Sequence, residues 1–400
     1  MNPTHVSRCC LVAVVLVVLG LIVSPALGAK NIILMIGDGM GFGQVNAGSY
    51  YVGGASGKLC FQPYYKCAVT TSCLDSGVHP ITDSAAAASA IATGHKVNYL
   101  AVSRSPSGVG YTTILEEAKA MGKRTGLVGT DPITRATPAA FAAHDADRNN
   151  LIAIGDDFLN SSLPNVLLGG GGTAAGGSAY FSTAQIATAQ ALGYQTAYTK
   201  AQMDALSPTA DRVLGLFTTN EMTYEYDRPA NTTEPHLSEM TVKALSLLDT
   251  DPDGFFVMIE GAKIDYGGHA RDIARTTGEV VEFNNSVQAV LNWMQGRTDT
   301  LLIVTADHET GGLTATNRGK GTYPGASWAG TDHTAANVPL YAYGAGSGLV
   351  NGYMHSGVID NTDVFRIMHD AYAVPEPTGV IVLLCGLAGT RLCRRRPRNV

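Results

Sequence analysis

Six short runs along the chain are apolar at consecutive positions rather than alternate ones: Ile32–Ile36, Gly126–Val128, Val166–Leu168, Phe255–Ile259, Leu301–Thr305 and Pro339–Tyr343. Strands that are apolar on both faces belong to a parallel sheet covered by helices on each side. Between these runs the pattern becomes helical, with a glycine closing each stretch: Ser84–Thr93 before Gly94, Tyr111–Met121 before Gly122, and Glu279–Met294 before Gly296. Alternating strands and helices predict an α/β fold, a doubly wound, mostly parallel sheet with helices on both faces. No repeat or linker-like stretch divides the core, so a single large domain is expected over residues 30–373.

The two ends break this pattern. Residues 1–29 place Arg8 before an apolar run from Cys9 to Val23 and then small residues near Ala29, the make-up of a secretory leader removed on export. Its run of about 15 apolar residues is shorter than the roughly 20 a spanning helix needs. Residues 374–400 combine Pro375-Glu376-Pro377, an apolar run from Val380 to Gly389, and five arginines from Arg391 to Arg398. This three-part tail resembles the PEP-CTERM sorting signal. That resemblance implies processing at Pro-Glu-Pro by an exosortase and a final location in the periplasm or at the cell surface.

Of 27 basic and 33 acidic residues, the two ends hold six basic and one acidic, leaving a core near −11. Such a balance argues against nucleic acid or an anionic membrane as partner. Cys60, Cys67 and Cys73 are the only cysteines between the ends. An oxidising compartment permits one disulfide among them and leaves one thiol over. No Cys-x-x-Cys pair occurs, so any metal must be held by carboxylates and histidines.

In open α/β sheets ligands bind beyond the carboxyl ends of the strands. Asp38 follows the first apolar run inside Gly37-Asp38-Gly39, Glu260 follows the fourth, and Asp307 and His308 follow the fifth. Asp265 and His269 are four apart, so on one helical turn they face the same way and can chelate one ion. His333 precedes the last strand. Mixed nitrogen and oxygen donors suit zinc, and an all-oxygen subset suits magnesium. Ser84 opens an alanine-rich helix, where backbone amides and the helix dipole favour negative charge; a plain helix cap is the alternative for Asp83-Ser84. Leu168-Gly169-Gly170-Gly171-Gly172 reads as a loop after a strand and lacks the lysine of a phosphate-binding loop.

Four segments occur in order: Asp83-Ser84-Ala85-Ala86, Glu260-Gly261-Ala262-x-Ile264-Asp265-x-x-x-His269, Thr305-Ala306-Asp307-His308 and Asp332-His333-Thr334. Together they resemble the alkaline phosphatase family over most of the core. The resemblance implies a phosphomonoesterase that works through a phosphoserine on Ser84. By matching position, Asp265, His269 and His333 would hold one zinc, and Asp38, Asp307 and His308 a second. Asp38 would bridge toward a magnesium completed by Glu260 and Thr137, and Arg148 would grip the phosphate with a bidentate fork. Relatives form dimers, so a homodimer is also implied.

Two positions depart from the family. Arg135 stands where members carry Asp or His before Ala-Thr-Pro; an arginine cannot ligate a metal, so a weakened magnesium site and added positive charge near the phosphate are expected. Tyr266 follows Asp265 where members carry Lys, His or Trp, so it and Arg135 join Arg148 as substrate-facing candidates. Only a short stretch separates His308 from His333, which predicts a small crown insertion. A phosphodiesterase of the same superfamily and a non-catalytic surface protein are the alternative readings; the Cys/Ser-x-Pro-x-Arg motif of sulfatases is absent.

Overall fold

The computed structural model describes residues 28–373. The leader's apolar run and the Pro-Glu-Pro tail therefore lie outside the described residues.

Ten strands form the central sheet: β1 (Asn31–Gly37), β2 (Tyr65–Thr70), β3 (Arg124–Pro132), β4 (Val166–Gly170), β5 (Tyr194–Ala197), β6 (Arg212–Leu216), β7 (Phe255–Gly261), β8 (Thr300–Thr305), β9 (Val338–Gly344) and β10 (Val358–Asp360). Their spatial order is β10-β2-β9-β8-β1-β7-β3-β4-β6-β5. Every residue of β1, β7 and β8 is buried, which for a pleated strand means that both faces are covered. One helical group centres on Ile273–Trp293 and includes Leu237–Leu248 and Phe42–Gly53; another joins Ser84–Thr93, Ala136–Ala142 and Asn361–Ala373.

All six apolar runs are strands, but β9 runs antiparallel to both β8 and β2. An apolar run reads the same in either direction, so the parallel expectation fails there. Two helix starts also shift. The helix expected from Tyr111 begins at Ile114, where Thr113 and Glu116 form a reciprocal capping box. The helix expected from Glu279 begins at Ile273 behind the cap Asp272. The glycine run after Leu168 still belongs to β4 as far as Gly170.

The three core cysteines are free rather than paired. The Cys60 thiol donates to the Asn284 carbonyl and the Cys73 thiol to the His79 carbonyl, both at 3.3 Å. The crown is small, as expected: between His308 and His333 lie only two short ladders, Glu309–Thr310 on His333–Thr334 and Thr314–Thr316 on Gly325–Ser327. The Ala29 amide donates to the Ala371 carbonyl at 2.8 Å, which joins the entry to β1 to the last helix.

Candidate metal and phosphate site

β7, β1 and β8 lie side by side in the middle of the sheet, so their carboxyl ends deliver Glu260, Asp38, Asp307 and His308 to one edge. Gly39 takes a positive φ of 69°, and a β-carbon there would come within 2.9 Å of the Asp265 carboxylate. The turn after Asp38 therefore needs glycine.

Two groups of side chains, each with ligand atoms within 4.8 Å of one another, form at this edge: Asp38 with Asp307 and His308, and Asp265 with His269 and His333. Ser84 touches the first group, its Oγ 3.2 Å from His308 Nε2.

In the first group Asp307 Oδ1 accepts from the Gly39 and His308 amides. Its Oδ2 and the Asp38 Oδ1 are buried without a hydrogen bond. Burial raises the pKa of Asp38, and the carboxylates of Asp307 and Asp265 add to the shift. Burial likewise pushes Asp307 up to about 7, with Asp265 contributing. His308 is held well below its usual range by burial and by His333. Crowded carboxylates with unfilled acceptor sites and a neutral imidazole are the donor set a divalent cation satisfies.

The second group sits on the helix Lys263–His269 and the His333–Thr334 ladder. His269 Nδ1 bonds the Thr331 carbonyl at 2.5 Å and His333 Nδ1 the Thr82 carbonyl at 3.0 Å. A carbonyl only accepts, so both Nδ1 atoms carry the proton and both Nε2 atoms face inward. These Nε2 atoms are 3.2 Å apart and lie 3.2 and 3.6 Å from the Asp265 carboxylate. The bond to Asp265 raises His269 to about 9 against the effect of burial. Burial opposes ionisation of Asp265, but His269, His308 and His333 outweigh it and hold that carboxyl low. Without a metal, a proton on His269 occupies this space; a cation would replace it.

Beside the first group, Glu260 Oε2 and Thr137 Oγ1 are also buried and unbonded. Burial, reinforced by Asp131, pushes Glu260 well up. Together with Asp38 they offer an all-oxygen set that fits magnesium.

Ser84 is the first residue of the helix Ser84–Thr93 and is 3% exposed. The cap Asp83 accepts from the amides of Ala85 and Ala86, so those first-turn donors serve Asp83 instead of the serine oxygen. Asp83 also receives the Leu100 amide and Arg148 Nη1, at 3.0 and 2.9 Å. It thereby joins the Ser84 helix to the arginine.

Arg135 is not a free charge. Its Nε lies 3.4 Å from Asp131 Oδ2, its Nη2 donates to the Tyr266 hydroxyl at 3.0 Å, and that hydroxyl bonds Asp131 at 3.1 Å. Burial lifts Asp131 to about 6 although Arg135 and Tyr266 pull it down. Asp131 was not foreseen: it lies in β3 and Arg135 caps the next helix, so no helical spacing pointed to the pair. The expected extra positive charge is therefore largely compensated.

Glu309 was missed as well. Its carboxylate accepts from Gln44 Nε2, the Gly312 and Leu313 amides and the Thr334 hydroxyl, which fixes the ladder that carries His333.

The alkaline phosphatase family model matches residues 29–324. Alkaline phosphatase 3 of Bacillus subtilis is 36% identical over 71% of this chain and 62% of its own length. The Escherichia coli alkaline phosphatase is 33% identical over 86% of both chains. Among solved structures, a cold-active alkaline phosphatase from Shewanella sp. superposes with a TM-score of 0.75 at 29% identity, covering 86% of this chain and all of that one. The Thermus thermophilus alkaline phosphatase shares the fold, with a TM-score of 0.76 at 23% identity over 90% and 97% of the two chains. The class is thus a phosphatase. The chain belongs to the alkaline phosphatase family.

Proposed function

We propose that this chain is an exported phosphomonoesterase in which Ser84 is the nucleophile, served by two zinc ions, with a third, magnesium site weakened by Arg135. The placement of Ser84 carries the reading: its Oγ lies 3.2 Å from His308 Nε2, against one carboxylate–imidazole group and beside another. Asp38, Asp307 and His308 would hold the zinc nearest the nucleophile, and Asp265, His269 and His333 the other. Asp38, Glu260 and Thr137 would hold magnesium; a mutant of the Antarctic TAB5 alkaline phosphatase, 27% identical, has Mg bound in its M3 site. When bound, such cations acidify a serine hydroxyl and stabilise a departing alkoxide.

The chain's own residues do the rest. Ser84 Oγ attacks phosphorus as the ester P–O bond opens, and the alcohol leaves. Water then cleaves the phosphoserine, returning Ser84 and releasing phosphate. Arg148, with Nη1 committed to Asp83, keeps its other donors for phosphate oxygens. Asp131 and Tyr266 hold Arg135 in place beside them.

Among the described residues no helix is long and apolar enough to cross a membrane. The leader and the PEP-CTERM-like tail support delivery to the periplasm or cell surface, with an exosortase acting on the tail.

The test is hydrolysis of p-nitrophenyl phosphate by wild type and Ser84→Ala, with and without chelator, followed by acid quench and mass spectrometry. Chelator-sensitive turnover and a phosphorylated Ser84 peptide, both absent from Ser84→Ala, are expected. Full activity in Ser84→Ala overturns the reading. Faster turnover of the bis(p-nitrophenyl) diester would assign the chain to the diesterases.

A further inference from the structure

In-line phosphoryl transfer puts the leaving oxygen opposite the attacking one. With Ser84 against His308, the alcohol emerges toward Asp265, His269 and His333. A cavity of about 210 Å³ opens on that side, lined by Ile81, Thr82, Tyr99, Asp332 and the two histidines. Tyr99 also lines a second cavity, of about 460 Å³, with Asp75, Asn98, Arg104, Ser105 and Ser107. One aromatic ring is therefore common to the reaction mouth and a neighbouring polar hollow.

That ring is firmly positioned. It stacks on His79 with centroids 4.4 Å apart and planes 10° from parallel. The Tyr99 amide donates to Asp75 Oδ1 at 2.9 Å. The next residue, Leu100, has a φ of 67°, a conformation that disfavours a side chain and persists only where the surroundings impose it. Here the Leu100 amide donates to Asp83 Oδ1, and its carbonyl accepts the Arg148 amide at 2.9 Å. The wall of the mouth is thus tied to the same Asp83 that holds Arg148. In the hollow, the Asn98 side-chain amide makes no hydrogen bond among the described residues.

Resting on the phosphomonoesterase reading, we propose that the two cavities form a leaving-group subsite for a polyhydroxylated alcohol, so that sugar monophosphates are the preferred substrate class. Tyr99 packs on the sugar ring, an amphipathic surface suited to the C–H face of a pyranose. Asn98 faces its hydroxyls; around it, Arg104 Nε is held by the Gly108 carbonyl and the Ser105 and Ser107 hydroxyls bond each other at 2.9 Å. A site that bonds a hydroxyl discriminates against an alcohol that lacks it, because the Asn98 amide is then left unpaired.

The test measures kcat/KM for glucose 6-phosphate and for ethyl phosphate in metal-loaded wild type, Tyr99→Ala and Asn98→Ala, with the inhibition constant of inorganic phosphate as a readout of the phosphate site. Wild type is expected to favour glucose 6-phosphate. That preference falls about tenfold in Tyr99→Ala and several-fold in Asn98→Ala, while phosphate inhibition changes less than the ratio. An unchanged ratio in both variants overturns the subsite even though turnover shows the phosphatase reading to be sound. No turnover of either ester, or of p-nitrophenyl phosphate, by wild type overturns the phosphatase reading itself. Should Tyr99→Ala not fold, Asn98→Ala decides alone, since its side chain bonds nothing in the fold.

Discussion

Asp38, Asp307 and His308 come from two adjacent strand ends, and the Asp307 and His308 side chains are 0% exposed. Asp265, His269 and His333 come from one helical turn and a crown ladder, and their imidazoles are 39% and 18% exposed. The donor chemistry is nearly the same, but the consequences of burial differ. The open group satisfies itself, through carbonyls on both Nδ1 atoms and a proton on His269. The sealed group has no internal counter-charge, so its crowded carboxylates are the ones a bound cation would relieve most. In the proposed reaction the nucleophile Ser84 lies beside the sealed group, and the leaving group faces the open one.

Asp307→Asn should break this contrast most severely. Losing a ligand beside Ser84 removes several kcal/mol of charge stabilisation, a fall in kcat of roughly 10³-fold. Yet the metal-free variant should melt above metal-free wild type, because one of the repelling carboxylates is gone; calorimetry with chelator checks this. His269→Ala is the matched change on the open side. It should lose one zinc per chain by metal analysis, with a smaller loss of activity and little change in metal-free melting temperature.

Arg148→Ala should cost kcat/KM about 1.5–3 kcal/mol, roughly 10- to 100-fold, as expected for a charge-assisted bond. Asp131→Asn sharpens the contrast more gently. With its carboxylate neutralised, Arg135 presents more net charge, and inorganic phosphate should inhibit several-fold more strongly, on the order of 1 kcal/mol.

The smallest expected effect on turnover lies away from both groups, where a change acts on stability instead. Glu279 is buried, with Glu225, Lys263 and Arg228 facing it, and burial lifts its pKa to about 8. The folded chain thus keeps a proton that the unfolded chain releases near the ordinary glutamate value, so its contribution to stability is full below that value and is lost as the pH rises to about 8. Glu279→Gln should leave melting near pH 5 unchanged and raise it at pH 9; equal slopes for variant and wild type would refute this.

The strands that carry the chemistry were legible because parallel strands buried on both faces leave continuous apolar runs, and each of the three ends in an acid. The meeting of Asp265 and His269 was legible because they are a helical repeat apart. Other features left no local trace. The reversal of β9 leaves its apolar run unchanged. Gln44 and Glu309 meet across 265 residues, and no periodicity links them. Asp83 looked like an ordinary cap and is one, but it also receives Leu100 and Arg148, which only the folded loop reveals. Asp131 was hidden too, because it lies in β3 while Arg135 caps the following helix, so no helical periodicity links the pair.

The hydrogen bond between Ala29 and Ala371 has a bearing on how the protein can be mounted. It lies at the amino end of β1, whereas Asp38 lies past the carboxyl end of the same strand, about 20 Å away for seven residues. Both described ends therefore leave from the pole remote from the reaction mouth. A support, a fusion partner or a cell envelope coupled to either end leaves that mouth turned outward, and coupling both ends to one surface asks for no rearrangement of the body between them.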